Sequence, residues 1–146
     1  MKVTRKVTRV KLRIDQPDDF LLFGIVSSEP DYKLSLSLNK KFGISLKNSQ
    51  PVKLPAEDGP ELTFSRFSFA GASYGRTFSL ISNRSDKNYL IRRLRNVDYL
   101  FYVHDPENED DVNQITSRLR EIHGITAVFN FEHGTIKDKN LHLVIQ

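Results

Sequence analysis

The sequence predicts an α+β domain: a mainly antiparallel sheet of about six or seven strands with two principal helices on one face, ending in a C-terminal β-α-β unit. Three observations predict it. Short apolar or alternating runs, bounded by Gly, Pro, Asn and Asp, recur along the chain, as strands require. Val112, Ile115, Leu119 and Ile122 fall at spacings of three, four and three, which is one apolar stripe of a helix. At 146 residues, with 38% hydrophobic and 27% charged side chains, the chain has the size of one domain and is too apolar for a disordered tail. We therefore expect residues 1–146 to form a single domain.

Each element follows in order. Val10, Leu12 and Ile14 alternate with Arg9, Lys11 and Arg13, the period of a half-buried strand whose charged face suits a sheet edge. Residues 15–19 are a turn cluster, and residues 20–26 are a continuous apolar run suited to a strand covered on both faces. Residues 29–42 pose a conflict. Leu34, Leu36 and Leu38 alternate with Lys33, Ser35 and Ser37 as in a strand, but Tyr32, Leu36, Asn39 and Phe42 also fit a helical stripe, and the ends carry helix punctuation: serines before Pro30 and Asp31, then Lys40, Lys41 and Gly43. The punctuation prevails, predicting a serine-capped helix over 29–42. Pro51, Pro55, Gly59 and Pro60 make residues 47–61 a loop with a brief strand at 52–54.

Residues 62–70 and 76–82 flank residues 71–75 as the arms of a β-hairpin. Phe64 and then Phe67 and Phe69 change phase, which predicts a bulge near Ser65 and Arg66 or burial of both faces. Ser85 and Asp86 are expected to cap a short helix carrying Tyr89, Leu90, Ile91 and Leu94. Residues 97–103 read as a strand, followed by the striped helix, its stop at Gly124, a strand at 125–131 and a turn at Gly134. Leu141, Leu143 and Ile145 alternate as a final strand. The strand–helix–strand run implies a right-handed crossover.

Several chemistries are excluded. With no cysteine there is no disulfide, zinc knuckle or thiol catalysis. No apolar run approaches the roughly 20 residues of a membrane helix, so no membrane role is expected. Met1 to Ile14 has no apolar core segment or cleavage site of a secretory signal, and the expected compartment is cytoplasmic. The phosphate loop, the dinucleotide fingerprint and the nucleophile elbow are all missing, and no cofactor is assigned.

Candidate residues remain. His104 and Asp105 resemble the His-Asp dipeptide of metal-dependent phosphohydrolases, but they end a strand and run into Pro106. His123, His133 and His142 lack metal-ligand spacing, so no metal site is assigned. Asp105, Glu107, Glu109, Asp110 and Asp111 read more simply as the acidic start of the striped helix than as a Mg²⁺ or Ca²⁺ site. The net charge of +4 is uneven: Lys2, Arg5, Lys6, Arg9, Lys11 and Arg13 open the chain with no acid among them. A second basic cluster is Arg84, Lys87, Arg92, Arg93 and Arg95, of which Arg92, Arg93 and Arg95 are the candidate phosphate- or nucleic-acid-binding residues. Phe64, Phe67, Phe69 and Phe78 are expected to fill the core rather than stack bases. Tyr74, between two glycines, is expected to be an exposed loop aromatic.

The segment Leu90-Ile91-Arg92-Arg93-Leu94-Arg95-Asn96-Val97-Asp98-Tyr99 resembles the signature of an uncharacterised bacterial family, the I-P-E-x-x-x-V-D-Y family. Ile91, Val97, Asp98 and Tyr99 match, and Arg92 and Arg93 replace the Pro and Glu. Residues 20–25, Asp31-Tyr32-Lys33-Leu34 and Leu38-Asn39-Lys40 are similar to its N-terminal half. The resemblance implies a small cytoplasmic protein of Bacteroidota-like bacteria and carries no activity. Within the signature, Asp98 suits an anchor at the strand entry and Tyr99 an apolar ring with a polar tip; the functional alternative is a partner-binding edge of Asp98, Tyr99 and Arg93. We therefore expect a non-enzymatic binding or scaffold protein with a protein partner. The alternatives are a metal-assisted enzyme using His104, Asp105 and nearby acids, a ligand-sensing module by analogy with residues 97–131, or weak, sequence-independent binding of RNA or a phosphorylated ligand.

Overall fold

The apolar run at 20–26 becomes the second strand from one edge of the main sheet. The computed structural model describes residues 20–56, 58–70, 77–104, 112–131 and 136–145. In it β1 (Phe20–Ser27) is hydrogen-bonded on both sides, and Leu22, Phe23 and Ile25 are fully buried. A strand paired on both sides and covered on both faces has no solvent side to alternate with, so its sequence is continuously apolar. Along the chain follow α1 (Asp31–Phe42), β2 (Lys47–Asn48), β3 (Val52–Leu54), β4 (Leu62–Phe64), β5 (Arg66–Ala70) and β6 (Thr77–Ser82). Then come β7 (Arg84–Ser85), β8 (Asn88–Tyr89), β9 (Tyr99–His104), α2 (Val112–Arg120), β10 (Ile125–Phe131) and α3 (Leu141–Val144).

The protein is α+β. Its main sheet has six strands in the order β10-β1-β9-β6-β5-β2, every neighbouring pair antiparallel. Because β1 lies antiparallel between them, β9 and β10 run parallel to each other. With α2 between them they form a β-α-β unit split by β1. Gly24 of β1 makes room for this arrangement: a Cβ there would lie 2.6 Å from Cε2 of Phe131 on β10.

Both principal helices cover one face of the sheet. Leu34 and Leu38 of α1 and Ile115 and Leu119 of α2 pack on Phe23, Ile25, Phe78, Leu80, Phe101 and Val103. The conflict over residues 29–42 is settled as a helix. The stripe expected through Tyr32 and Leu36 is corrected: Leu34 and Leu38, four apart, face inward, whereas Tyr32 is 61% and Leu36 64% exposed. Gly43 ends α1 with φ 66°, donating its N–H to the Asn39 carbonyl at 2.8 Å. The expected serine cap is corrected. Pro30 precedes the helix and no side chain caps it; the Pro30 carbonyl accepts from the Leu34 amide at 2.9 Å, and Ser27 Oγ accepts from the Glu29 amide, ordering the turn instead.

The opposite face carries no long helix. Leu22, Ile81, Leu100 and Tyr102 are covered by Val52 and Phe64 of a two-stranded arm made of β3 and β4, by Leu90, Ile91 and Val97, and by Val144 of α3. The phase change between Phe64 and Phe67 marks where the chain leaves the arm for the main sheet: the two phenylalanines serve opposite faces, and the Ser65 carbonyl accepts from the Ser82 amide at 2.9 Å.

Two further expectations are corrected. The short helix expected after Ser85 and Asp86 is a two-stranded ribbon, β7 with β8, turned at Asp86 with φ 55° and followed by irregular turns. Asp and Ser favour such turns as readily as helix caps, and here the turn wins. The alternating Leu141, Leu143 and Ile145 form no strand; a turn led by Asp138 and Asn140 enters the four-residue α3, which packs these side chains against the second face. Three alternating positions are too few to separate a strand from a single helical turn. The N-terminal strand, Tyr74, the acidic run 105–111, His133 and the turn at Gly134 lie outside the described residues. Among the described residues, no helix is long and apolar enough to cross a membrane.

Candidate functional site: a buried asparagine and an arginine loop

The segment between β6 and β9 carries the β7–β8 ribbon and a run of turns, and one side chain organises it. Asn83, directly after β6, is completely buried. Its Nδ2 donates to the carbonyls of Leu94 at 2.9 Å and Val97 at 3.0 Å, while its Oδ1 accepts from the Ile91 amide at 2.8 Å. Its backbone accepts from the Leu90 amide and donates to the Asp98 carbonyl, both at 2.9 Å. One amide side chain thus stands in for the missing helical or sheet partners of a loop, as buried backbone groups demand. From the other side, Asn140 Nδ2 donates to the Leu90 carbonyl at 2.8 Å.

Asp98 closes the loop onto the sheet. Its Oδ2 accepts from the Ser27 amide at 2.9 Å, and its Oδ1 lies 2.7 Å from Nε of Arg84. Arg84 also reaches the Arg95 carbonyl through Nη2 at 3.3 Å and stands 5.3 Å from the centre of the Tyr89 ring. Tyr99, buried beside it, donates its hydroxyl to the Glu29 carbonyl at 2.6 Å. Burial, and then the carboxylates of Asp31, Asp98 and Glu29, push its pKa up to about 12. Asp98 and Tyr99 therefore face inward and hold β9 to the turn before α1. Arg93 does not join them: the guanidinium on Asp98 belongs to Arg84.

Arg92, Arg93 and Arg95 are all exposed and without an ion pair among the described residues. All three side chains are exposed, whereas Asp98 and Tyr99 are bonded inward. Asn83, which holds the loop, escaped the sequence reading; its only signal there is an amide directly after the apolar strand 77–82. His104 ends β9 opposite Phe20 and Thr77, while Asp105 and its acidic neighbours lie outside the described residues. His123 is exposed, and His142 Nδ1 sits 2.7 Å from the Lys139 carbonyl. Among the described residues no three His, Asp or Glu side chains gather as a metal ion would need. Compared with known proteins, the chain matches no family model and no curated protein.

Proposed function

We propose that this protein is a non-enzymatic, cytoplasmic binding protein that presents Arg92, Arg93 and Arg95 to an acidic or phosphorylated surface of a protein partner. One contrast carries this reading: the loop's inward polar groups are spent on holding its shape, while its three exposed guanidiniums have no acid partner among the described residues. Arginine forks match carboxylate and phosphate geometry, and a loop already ordered by Asn83 loses little further freedom on binding. Relationship to the I-P-E-x-x-x-V-D-Y family belongs to the same proposal. The inward bonds of Asp98 and Tyr99 support a signature that acts through folding, with the positions held here by Arg92 and Arg93 left free for recognition.

The test is affinity purification from the native host at endogenous expression, comparing the wild type with the triple variant Arg92→Gln, Arg93→Gln and Arg95→Gln. The side chains are exposed, so the variant should melt as the wild type does. A protein captured by the wild type, released by salt and lost from the variant is the expected result. A partner held equally by both chains refutes the assignment. Material that is instead removed by nuclease, with log affinity falling about 0.7 per phosphate contact against log salt, makes single-stranded RNA the partner and refutes the protein reading.

A further inference from the structure

Antiparallel register lines up side chains in rows across the second face. Ser68 of β5 stands opposite Ser79 of β6, and Ser79 opposite Tyr102 of β9. Ser49, just past β2, extends the row at the sheet edge: its Oγ lies 3.0 Å from Ser68 Oγ, which lies 3.3 Å from Ser79 Oγ. Arg66 is two residues before Ser68 on β5, so its side chain leaves the same face about 6–7 Å away. It also follows Ser65, where the chain passes from the β3–β4 arm into the main sheet. This corner is polar on a face that is otherwise apolar from β6 to β10.

The Arg66 side chain is incompletely satisfied. Its Nε is buried with no acceptor, and the guanidinium has no carboxylate partner among the described residues. Burial of the charge accordingly lowers its pKa. A buried N–H without an acceptor is costly, and a buried cation more so, which makes an unfilled requirement for an anion. The residue is half-buried, so its guanidinium is reachable from solvent. Ser49 donates to the Arg66 carbonyl at 3.3 Å, so at rest Ser68 donates to Ser49 and Ser79 to Ser68, and an arriving anion takes the Ser68 proton in place of Ser49 Oγ.

We propose that Arg66, with the Ser68 hydroxyl as second donor, is an oxyanion site that takes a carboxylate or phosphate group at the seam between the arm and the main sheet. It is separate from the arginine loop and does not depend on that loop's role. The test uses the full chain labelled with ¹⁵N-arginine. The Arg66 Nε–Hε resonance is identified by its loss in Arg66→Lys, or in Arg66→Gln if the first variant does not fold. Inorganic phosphate and acetate are titrated separately at constant ionic strength, with chloride as the reference. The Arg66 signal should move saturably with one or both oxyanions and not with chloride, and the anion that saturates it at lower concentration names the preferred group. Ser68→Ala should weaken that binding by about 2- to 10-fold, the worth of one neutral hydrogen bond. An Arg66 signal unmoved by either anion, or one that drifts without saturation in step with Arg92, Arg93 and Arg95, overturns the proposal.

Discussion

Replacing Asn83 with Ala tests whether one side chain holds the arginine loop. The substitution deletes three hydrogen bonds and leaves the Val97 carbonyl and the Ile91 amide without partners, while the Leu94 carbonyl keeps the Val97 amide at 3.0 Å. Each orphaned buried group costs about 1–3 kcal/mol. The two orphaned groups, at Val97 and Ile91, sit in fully buried bonds, whereas the Leu94 carbonyl is only partly buried and loses one of its two donors. The expected loss is therefore about 3–5 kcal/mol, a large share of the roughly 5–15 kcal/mol that holds a domain together. Urea unfolding at neutral pH measures it, and hydrogen exchange at the Ile91 amide should speed up in step. Asn83→Asp is the sharper variant, because it keeps the volume and the acceptor for Ile91 but turns an oxygen toward two carbonyls. The introduced carboxyl, buried among acceptors, has its folded-state pKa raised above the unfolded value. Its variant should accordingly be most stable at acidic pH and lose stability as pH rises toward neutrality. A loss below about 1 kcal/mol for Asn83→Ala would show that the loop is held by its apolar contacts and that the hydrogen bonds are incidental.

Two further outcomes follow from the same geometry. Tyr99→Phe removes the bond to the Glu29 carbonyl and should cost about 1–2 kcal/mol at neutral pH. Tyr99 has its pKa raised from 10.0 to about 12, so its contribution is fully present below pH 10.0 and is lost as pH climbs toward about 12. Thermal melts stepped through that window should fall more steeply for the wild type than for Tyr99→Phe, and parallel curves would contradict the assignment. Arg66→Met keeps most of the side-chain stem and removes the buried unpaired donor. In buffer free of oxyanions it should raise stability by about 1 kcal/mol, read as a higher urea midpoint; a lower midpoint would show that the guanidinium is satisfied in the native state.

Much of the fold was legible because local signals and burial agree. The run 20–26 is apolar because β1 is covered on both faces, and the stripe through Ile115 and Leu119 is a helix face because both pack on the sheet. Prediction fails where a short pattern has two physical solutions. The leucine alternation in α1 deceived only through Leu36, which faces solvent. Ser85 and Asp86 are good caps and good turn formers, and the choice between them was made elsewhere, by Asn83 taking up the hydrogen bonds a helix would have made. At the candidate site, Asp98 was readable as an anchor from its place before a strand. Its partner Arg84 lies 14 positions away, and Ser27 lies 71 away; no local pattern reveals such pairings. The serines at 49, 68 and 79 carried no signal either, since they meet only through strand register.

The charge on the loop is separable from its shape, and this gives the proposed function its most direct check. Residues 91–94 form a turn closed by the Leu94 amide on the Ile91 carbonyl at 3.0 Å, which places Arg92 at the second position. Proline is favoured there, because its fixed φ suits the turn and the position spends no amide on closing it. The signature residues Pro and Glu should therefore be accommodated at 92 and 93 without disturbing Asn83, Asp98 or the carbonyls they hold. Arg92→Pro alone should leave stability unchanged or raise it by up to about 1 kcal/mol, through the reduced freedom of the unfolded chain. Adding Arg93→Glu inverts the local charge while both side chains stay in solvent. The double variant should melt at or above the wild-type temperature and lose the acidic partner. If it unfolds, the guanidiniums are part of what holds the loop; if it folds and still binds, the partner reads the loop's backbone or its apolar rim, and arginine recognition is the wrong account.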